Sequence, residues 1–473
     1  MRVFPLTLFP ADRPAAIDDE GRVLTYGELA SISIQLHSEV TTGTVALVLV
    51  RNTLGCIAAI VALIEQGVVP IMLDANALKD TVKHYIDRYR PEILVFPKDI
   101  QELYESSTLK FNFLDYVMVP LLTLPRLEHV HSDLALLLST SGSTGSPKLV
   151  RQSKCNLLSN AKSIIDYLNI ESSDRPIINL PLHYTYGFSI LNSHLQVGAT
   201  VLLTSRSVLD KQFWNFISKE AGTSLAGVPY TYQMLKRLGF LRRQHDTLRT
   251  LTQAGGKLND DLIREFADYA NRMGIDFFVM YGQAEATARI SYVPSHRAME
   301  KAGSVGIAIP EGEMFLLDFA GNKITSPDVE GQLGYCGDNV AMGYAKSRAD
   351  LSRGDEWGGI LLTGDLARYD DDGYYYITGR LNRVVKIYGK RMNLDDLEQI
   401  SLDIVSEVAC KGTDDLVTIY ITESNFASIL PRHLAENTGV NVAAYKVQIV
   451  DHLPRTPAGK IDYLALSVHE VSS

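Results

Sequence analysis

The chain has 473 residues, 46% hydrophobic and 21% charged, with a formal net charge of −10. That length supports a large core and two or three domains. The acidic balance, with no long basic run, argues against a nucleic-acid-binding protein.

The opening segment, MRVFPLTLFPADRP, breaks its apolar stretch with an arginine and prolines, so no signal peptide is expected. The longest apolar segment, around Cys56–Glu65, is too short to cross a bilayer, and membrane insertion is not expected. The four cysteines, Cys56, Cys155, Cys336 and Cys410, form no C-x-x-C pair, which leaves neither a zinc knuckle nor a disulfide framework. The expected location is the cytoplasm.

TVALVLV (44–50) reads as a buried strand, and CIAAIVALIEQG as a helix closing at Gly67. VVPIML, PEILVFP, PIINLP, TVLLTS, SLAGVP, TLTQAG and FFVMYG are further short apolar strands. Between them, DKQFWNFISKE, YQMLKRLGF and DLIREFADYANRMG carry helical spacing. This alternation predicts an α/β fold whose sheets are mainly parallel, with ligands at the carboxyl ends of the strands. After about Gly303, turns at GEMF, AGNK and DDDGYYY predict a β-rich subdomain of hairpins. A last stretch places strands at LVTIYI and YKVQIV, and helices at LDDLEQISLDIV and ILPRHLAENTG. The expected organisation is a large N-terminal domain, 1–380, with two mainly parallel sheets flanked by helices and a β-rich subdomain at about 303–380. A small α+β C-terminal domain, 381–473, follows.

The most informative stretch is LLLSTSGSTGSPK (136–148). An apolar strand runs into six hydroxyl residues and two glycines. Gly142 and Gly145 let the backbone curl, and Thr140, Ser141, Ser143, Thr144 and Ser146 add hydroxyl donors. Lys148 adds a charge that a polyphosphate rewards. The spacing is not that of a Walker A loop.

S-T-S-G-S-T-G-S-P-K resembles the phosphate-binding loop of the adenylate-forming superfamily of acyl-CoA synthetases, peptide-synthetase adenylation domains and luciferase. LTYGELA, LPLHYTYGF, QAGGKL, MYGQAEAT, LLTGDLARYDDDGYYYITGR and PRTPAGKIDYLAL resemble further motifs of that superfamily, in its order. The resemblance implies that a carboxylate attacks the α-phosphate of ATP, giving an acyl-adenylate and pyrophosphate. Two anions must meet, so positive charge and orientation carry the rate.

By resemblance, the 140–148 loop, Gly255, Gly256, Tyr281, Gly282, Asp365 and Arg380 bind ATP. Tyr281 stacks on adenine, and Asp365 and Arg380 meet the ribose. Glu285 helps hold Mg²⁺. Lys460 is the catalytic lysine of adenylation, and Lys386 belongs to the 386–390 loop presented for thioester formation. Asn382 falls at the hinge between the two poses of a mobile C-terminal domain. Tyr184, Ser189, Ala254 and Met280 are candidate walls of the acid pocket. His183 is either a packed or a functional histidine.

Two positions depart from the pattern. Ala284 stands where the superfamily has a threonine hydroxyl at the α-phosphate, so Thr287 or a water would have to replace it. No carboxylate lies between Leu180 and Thr204 to pair an α-ammonium, which disfavours an amino acid. The expected reaction is activation of a small carboxylic acid with ATP and Mg²⁺. Transfer to CoA, or to the phosphopantetheine thiol of a carrier protein in trans, would follow. Transfer to an amine or sugar, amino-acid activation, and a catalytically weak adenylate-binding protein are the alternatives.

Overall fold

The computed structural model describes residues 2–103, 111–121, 129–139, 148–388, 390–413, 415–455, 461–463 and 465–466. The chain divides into two compact units, one from 1–140, 147–313 and 336–361, the other from 314–335 and 362–473.

The first unit holds two large sheets. In the nine-stranded sheet, Pro14–Asp18, Val201–Leu203, Pro176–Ile178, Ser224–Gly227, Thr250–Gln253 and Asp276–Tyr281 run parallel in that spatial order. Antiparallel strands Val23–Thr25, Ser291–Val293 and Ile307–Ala308 finish its edges. In the eight-stranded sheet, Ile93–Pro97, Val45–Val50, Val69–Asp74 and Leu134–Ser139 form the parallel centre. Hairpin partners such as Leu149–Ser153 run antiparallel outside it. The expected parallel sheets are present, and the antiparallel margins lie where short connections permit only hairpins.

Residues 54–64 are buried on every side of the helix Leu54–Glu65, as expected of a helix packed deep in a core. Its N-terminal turn approaches a neighbouring strand so closely that a Cβ at Gly55 would meet the Phe113 carbonyl at 2.2 Å.

The first unit also contains a buried arginine. Arg151, fully buried on the strand Leu149–Ser153, donates to the carbonyls of Arg353 (2.6 Å), Gly354 (3.1 Å) and Met342 (2.8 Å) and pairs with Glu356. One guanidinium thus holds the segment 342–356 against the sheet. One strand residue later, Ser153 caps the helix Lys154–Leu168 in a capping box with Asn156. The Asn156 amide also donates to the carbonyls of Asp338 and Val340, both at 2.7 Å.

In the second unit, a five-stranded sheet runs Lys323–Ile324, Glu313–Leu317, Gly331–Cys336, Ile360–Tyr369, Tyr375–Arg380. Gly312–Phe315, expected as a turn, is mostly strand. The turn lies just ahead of it, where Glu311 takes a φ of 66° and Gly312 N–H donates to the Ile309 carbonyl. Beyond it, the strands Val408–Thr413, Leu416–Ile421 and Tyr445–Ile449 form a three-stranded sheet. The helices Leu394–Ser401 and Leu430–Thr438 contribute to the same core. Arg383 anchors this part: it pairs with Asp395 (2.5 Å) and Glu398 (2.6 Å) and lies 4.2 Å from the Tyr463 ring centroid.

Removing Arg151 takes the guanidinium donor from the Arg353 and Gly354 carbonyls. Among the described residues it leaves the Met342 carbonyl only the Glu356 N–H and the Glu356 carboxylate only Arg353. We expect Arg151→Met to destabilise the first unit by about 3 kcal/mol. Arg151→Lys, which keeps charge but not the fork, should lose less. Urea midpoints of the three proteins measure this.

Candidate active site

The adjacent parallel strands Thr250–Gln253 and Asp276–Tyr281 end side by side, Gln253 opposite Val279. The candidate adenine residues Gly255, Gly256, Tyr281 and Gly282 therefore emerge together at the carboxyl edge of this sheet. Two glycines are sterically required there. A Cβ at Gly282 would lie 1.8 Å from the Ala288 carbonyl oxygen. At Gly255, φ is 87° and a Cβ would meet the Tyr184 hydroxyl at 2.6 Å. Ala254 is buried at the same strand end, its N–H bonded to the Gly227 carbonyl at 3.2 Å.

The segment after Gly282 is held by side-chain amides. Gln152 donates to the Ala284 carbonyl (3.0 Å), and Asn339 to those of Ala286 (2.9 Å) and Arg289 (2.8 Å). Asn160 adds a second bond to the Arg289 carbonyl at 3.2 Å. Thr287 sits in the left-handed region, with φ of 60°. Its hydroxyl donates to the Asn339 carbonyl at 2.7 Å, so its one proton is committed and is not free to replace the hydroxyl missing at Ala284.

Glu285 is partly buried within this segment. The Tyr344 hydroxyl donates to Glu285 Oε1 at 2.7 Å, and Lys148 Nζ lies 3.7 Å from the Tyr344 ring centroid. Trp357 packs edge-on against the same ring at 5.0 Å. Tyr344 thus joins the lysine that closes the phosphate-loop motif to the candidate metal carboxylate. Burial, then the Glu285 charge, raises its phenol well above the usual range, so it stays a donor. Sequence reading missed Tyr344; it stands in G-Y-A-K with no spacing to mark it.

Mg²⁺ commonly uses one or two carboxylates plus phosphate oxygens. The second oxygen of Glu285 fits that need, and among the described residues no group of three His, Cys, Asp or Glu converges.

The candidate acid-pocket residues fall on one helix and its neighbours. Tyr184 caps the helix Thr185–Gln196, and Ser189 and Met280 line one buried cavity. Ser189 Oγ donates to the Tyr186 carbonyl at 2.7 Å, and Met280 Sδ accepts from Tyr167 at 3.0 Å. His183 is half-buried, its Nδ1 without a partner, and burial lowers its pKa against the pull of Asp74.

His194, on the same helix, also lines the cavity. Its Nδ1 is 2.8 Å from the Ile190 carbonyl, which only accepts, so Nδ1 carries the proton. Burial brings its pKa down to about 4.

In the second unit, Asp365 and Arg380 face each other across the hairpin Ile360–Tyr369/Tyr375–Arg380. Arg380 Nε donates to Asp365 Oδ1 at 3.0 Å, with Asp365 buried and Arg380 exposed. Lys386 is exposed on the strand Val384–Ile387, paired with Arg391, rather than in a loop. Asn382 falls in the short helical turn Leu381–Arg383. The expected contributions of Thr140, Ser141, Gly142, Ser143, Thr144, Gly145 and Lys460 lie outside the described residues.

A family model described as AMP-binding enzyme matches residues 7–345. The chain belongs to the AMP-binding enzyme family. The 2-succinylbenzoate–CoA ligase of Bacillus licheniformis is 26% identical over 92% of this chain and 91% of its own. The oxalate–CoA ligase of Arabidopsis thaliana is 29% identical over 71% of this chain and 68% of its own. In three dimensions the chain is similar to an O-succinylbenzoate coenzyme A synthetase of Bacillus subtilis in complex with AMP. The TM-score is 0.79 at 21% identity, over 99% of this chain and 97% of that one. The fold is therefore that of the family, with large N-terminal and small C-terminal parts.

Two outcomes follow from this geometry. Tyr344→Phe should lower the rate about tenfold and raise the Mg²⁺ needed for half-maximal rate, because Glu285 loses its orienting bond. An Mg²⁺ titration of acid-dependent pyrophosphate exchange reads both. His194, held neutral by folding, binds its proton only in the unfolded chain between the ordinary 6.5 and about 4. Stability should therefore fall as the pH is lowered through that interval, by up to about 1.4 kcal/mol per unit from this group. His194→Gln should flatten the slope of urea midpoints between pH 4.5 and 7.

Proposed function

We propose that this chain is an AMP-forming acid–thiol ligase. A carboxylate oxygen attacks the α-phosphorus of ATP, pyrophosphate leaves, and the acyl group then passes from AMP to a thiol. The observation that carries this reading is the Lys148–Tyr344–Glu285 assembly beside the carboxyl ends of the parallel strands. It sets one cation and one carboxylate where a nucleotide polyphosphate and its metal would need them. Membership of the AMP-binding family supports it.

In this reading Lys148 and the 140–145 loop hold the phosphates. Tyr281 stacks on adenine, and Gly255, Gly256 and Gly282 let the ring lie against backbone. Asp365 accepts from the ribose hydroxyls, with Arg380 beside it. Glu285, aimed by Tyr344, would hold Mg²⁺, which when bound neutralises phosphate charge. The Bacillus subtilis synthetase is also solved with ATP and magnesium ion. Lys460 steadies the charge shared by the carboxylate and α-phosphate.

Residues 381–473 form the mobile part, turning at Asn382 so that either Lys460 or the hairpin bearing Lys386 faces the substrates. Tyr184, Ser189, Ala254 and Met280 wall the acid site.

The relatives' names as CoA ligases support CoA as the acceptor over a carrier protein's phosphopantetheine arm. Their different acids carry none to this chain. No helix among the described residues is long and apolar enough to cross a membrane. Use of ATP and CoA supports a cytoplasmic location.

Acid-dependent exchange of labelled pyrophosphate into ATP tests the first half. We expect exchange with at least one small carboxylic acid, and loss of about 100-fold or more in Lys460→Ala. Lys386→Ala should keep exchange and slow thioester formation with CoA. No exchange across a broad panel of acids would sink the reading.

A further inference from the structure

The cavity that contains Ser189 and Met280 also contains a charge that nothing in the sequence reading used. Arg289 is 3% exposed and lines this cavity. Its Nε has no hydrogen-bond partner. Its guanidinium carbon sits 4.2 Å from the Tyr186 ring centroid, and its carbonyl is fixed by Asn160 and Asn339. The side chain is therefore held in place, not folded inward by chance.

A buried guanidinium is normally paired with a carboxylate, because an unpaired buried charge is expensive. Among the described residues no carboxylate pairs with Arg289, and its side-chain hydrogen bond is to the neutral Tyr167 phenol. The rings that feel its charge, those of Tyr167, Tyr184 and Tyr186, are phenols that burial keeps neutral. The one carboxylate lining the cavity is Asp174. It is already occupied, accepting from Thr223 Oγ1 (2.9 Å) and Glu171 N–H (2.8 Å), with Arg249 at 3.6 Å. His194 faces the same space with its Nδ1–H turned to Ile190, and its low pKa leaves it neutral. The cavity measures about 30 Å³, room for roughly two water-sized groups. That matches the two oxygens of a carboxylate.

We infer that Arg289 is a specificity-determining residue that pairs with a second anionic group on the acid, so that the substrate is a short dicarboxylate or an aromatic acid bearing a second carboxylate. This inference rests on the ligase reading above and names its substrate class. The second anion supplies the missing counter-charge and so gains affinity that a neutral isostere forfeits. The hydroxyl protons of Tyr167 and Tyr186 already go to Met280 Sδ and to Thr252, so the preference for an anion over a hydroxyl or methyl rests on the guanidinium itself.

The test uses the full chain and a panel of succinate, glutarate and phthalate, each against its monomethyl ester, with hexanoate and benzoate as plain monoacids. Pyrophosphate exchange gives kcat/KM. Thermal shift with each acid alone, without ATP, gives binding independently of chemistry. At least one diacid should exceed its ester by about 30-fold or more in kcat/KM and should raise Tm. Arg289→Met should bring that ratio close to one and abolish the Tm shift. Arg289→Lys should restore part of the preference, because it restores charge but not the planar fork.

A thermal scan without acid shows whether Arg289→Met folds; removing an unpaired buried charge should leave its Tm equal or higher. Exchange with hexanoate or benzoate but not with any diacid overturns this inference and leaves the ligase reading standing. A diacid preference unchanged in Arg289→Met overturns it as well. No exchange with any of the eight acids, and none across a wider set, overturns the ligase reading and this inference with it.

Discussion

The site depends on how one short segment is held. From Gly282 to Arg289 the chain leaves the strand Asp276–Tyr281, passes through a single helical turn, and leads into the antiparallel strand Ser291–Val293. Its carbonyls are gripped by amides from Gln152, Asn160 and Asn339, which come from distant parts of the sequence. A buried carbonyl left without a donor is costly, so these bonds fix the path of the segment. With the path fixed, Glu285 meets Tyr344 and Arg289 reaches the cavity. The two charges are four residues apart, yet one meets a phenol and the other lines a cavity.

Behind this segment stand the two arrangements that hold 336–356 to the sheet. Arg151 takes the carbonyls of Met342, Arg353 and Gly354, and Asn156 takes those of Asp338 and Val340. They place Asn339 and Tyr344 where each is needed. Arg151 lies on the strand Leu149–Ser153 that follows the Ser/Thr-rich motif, and Asn156 on the helix that this strand leads into. The motif's sequence neighbours are therefore structural partners of the segment 282–289 as well.

Much of this was legible in the sequence. Short apolar strands between amphipathic helices gave the parallel centres of both sheets, because buried strands and helices differ in spacing. Asp365 and Arg380 were read from a T-G-D and G-R pair, and a simple hairpin register brings them together. Lys386 was read as part of a loop, but the strand Val384–Ile387 continues through it. GEMF was read as a turn because Gly312 opens it, while Met314 and Leu316 bury themselves in alternation, as a strand does. Tyr344 and Arg289 were missed for one physical reason. Their roles arise from juxtaposition across long stretches of chain, and neither local spacing nor composition carries that information. A signal for Arg289 did exist: an arginine amid the small and apolar residues A-T-A-R-I, where a buried position is expected.

The contact next to the short turn Leu381–Arg383 has a steric side. Asn393 donates its amide to the Thr378 carbonyl at 3.1 Å, and Gly379 leaves that amide its space, since a Cβ there would overlap Asn393 Nδ2. Thr378 lies before that turn and Asn393 after it, so this one bond clasps the two flanks of the turn together, and any side chain at position 379 would prise the clasp apart.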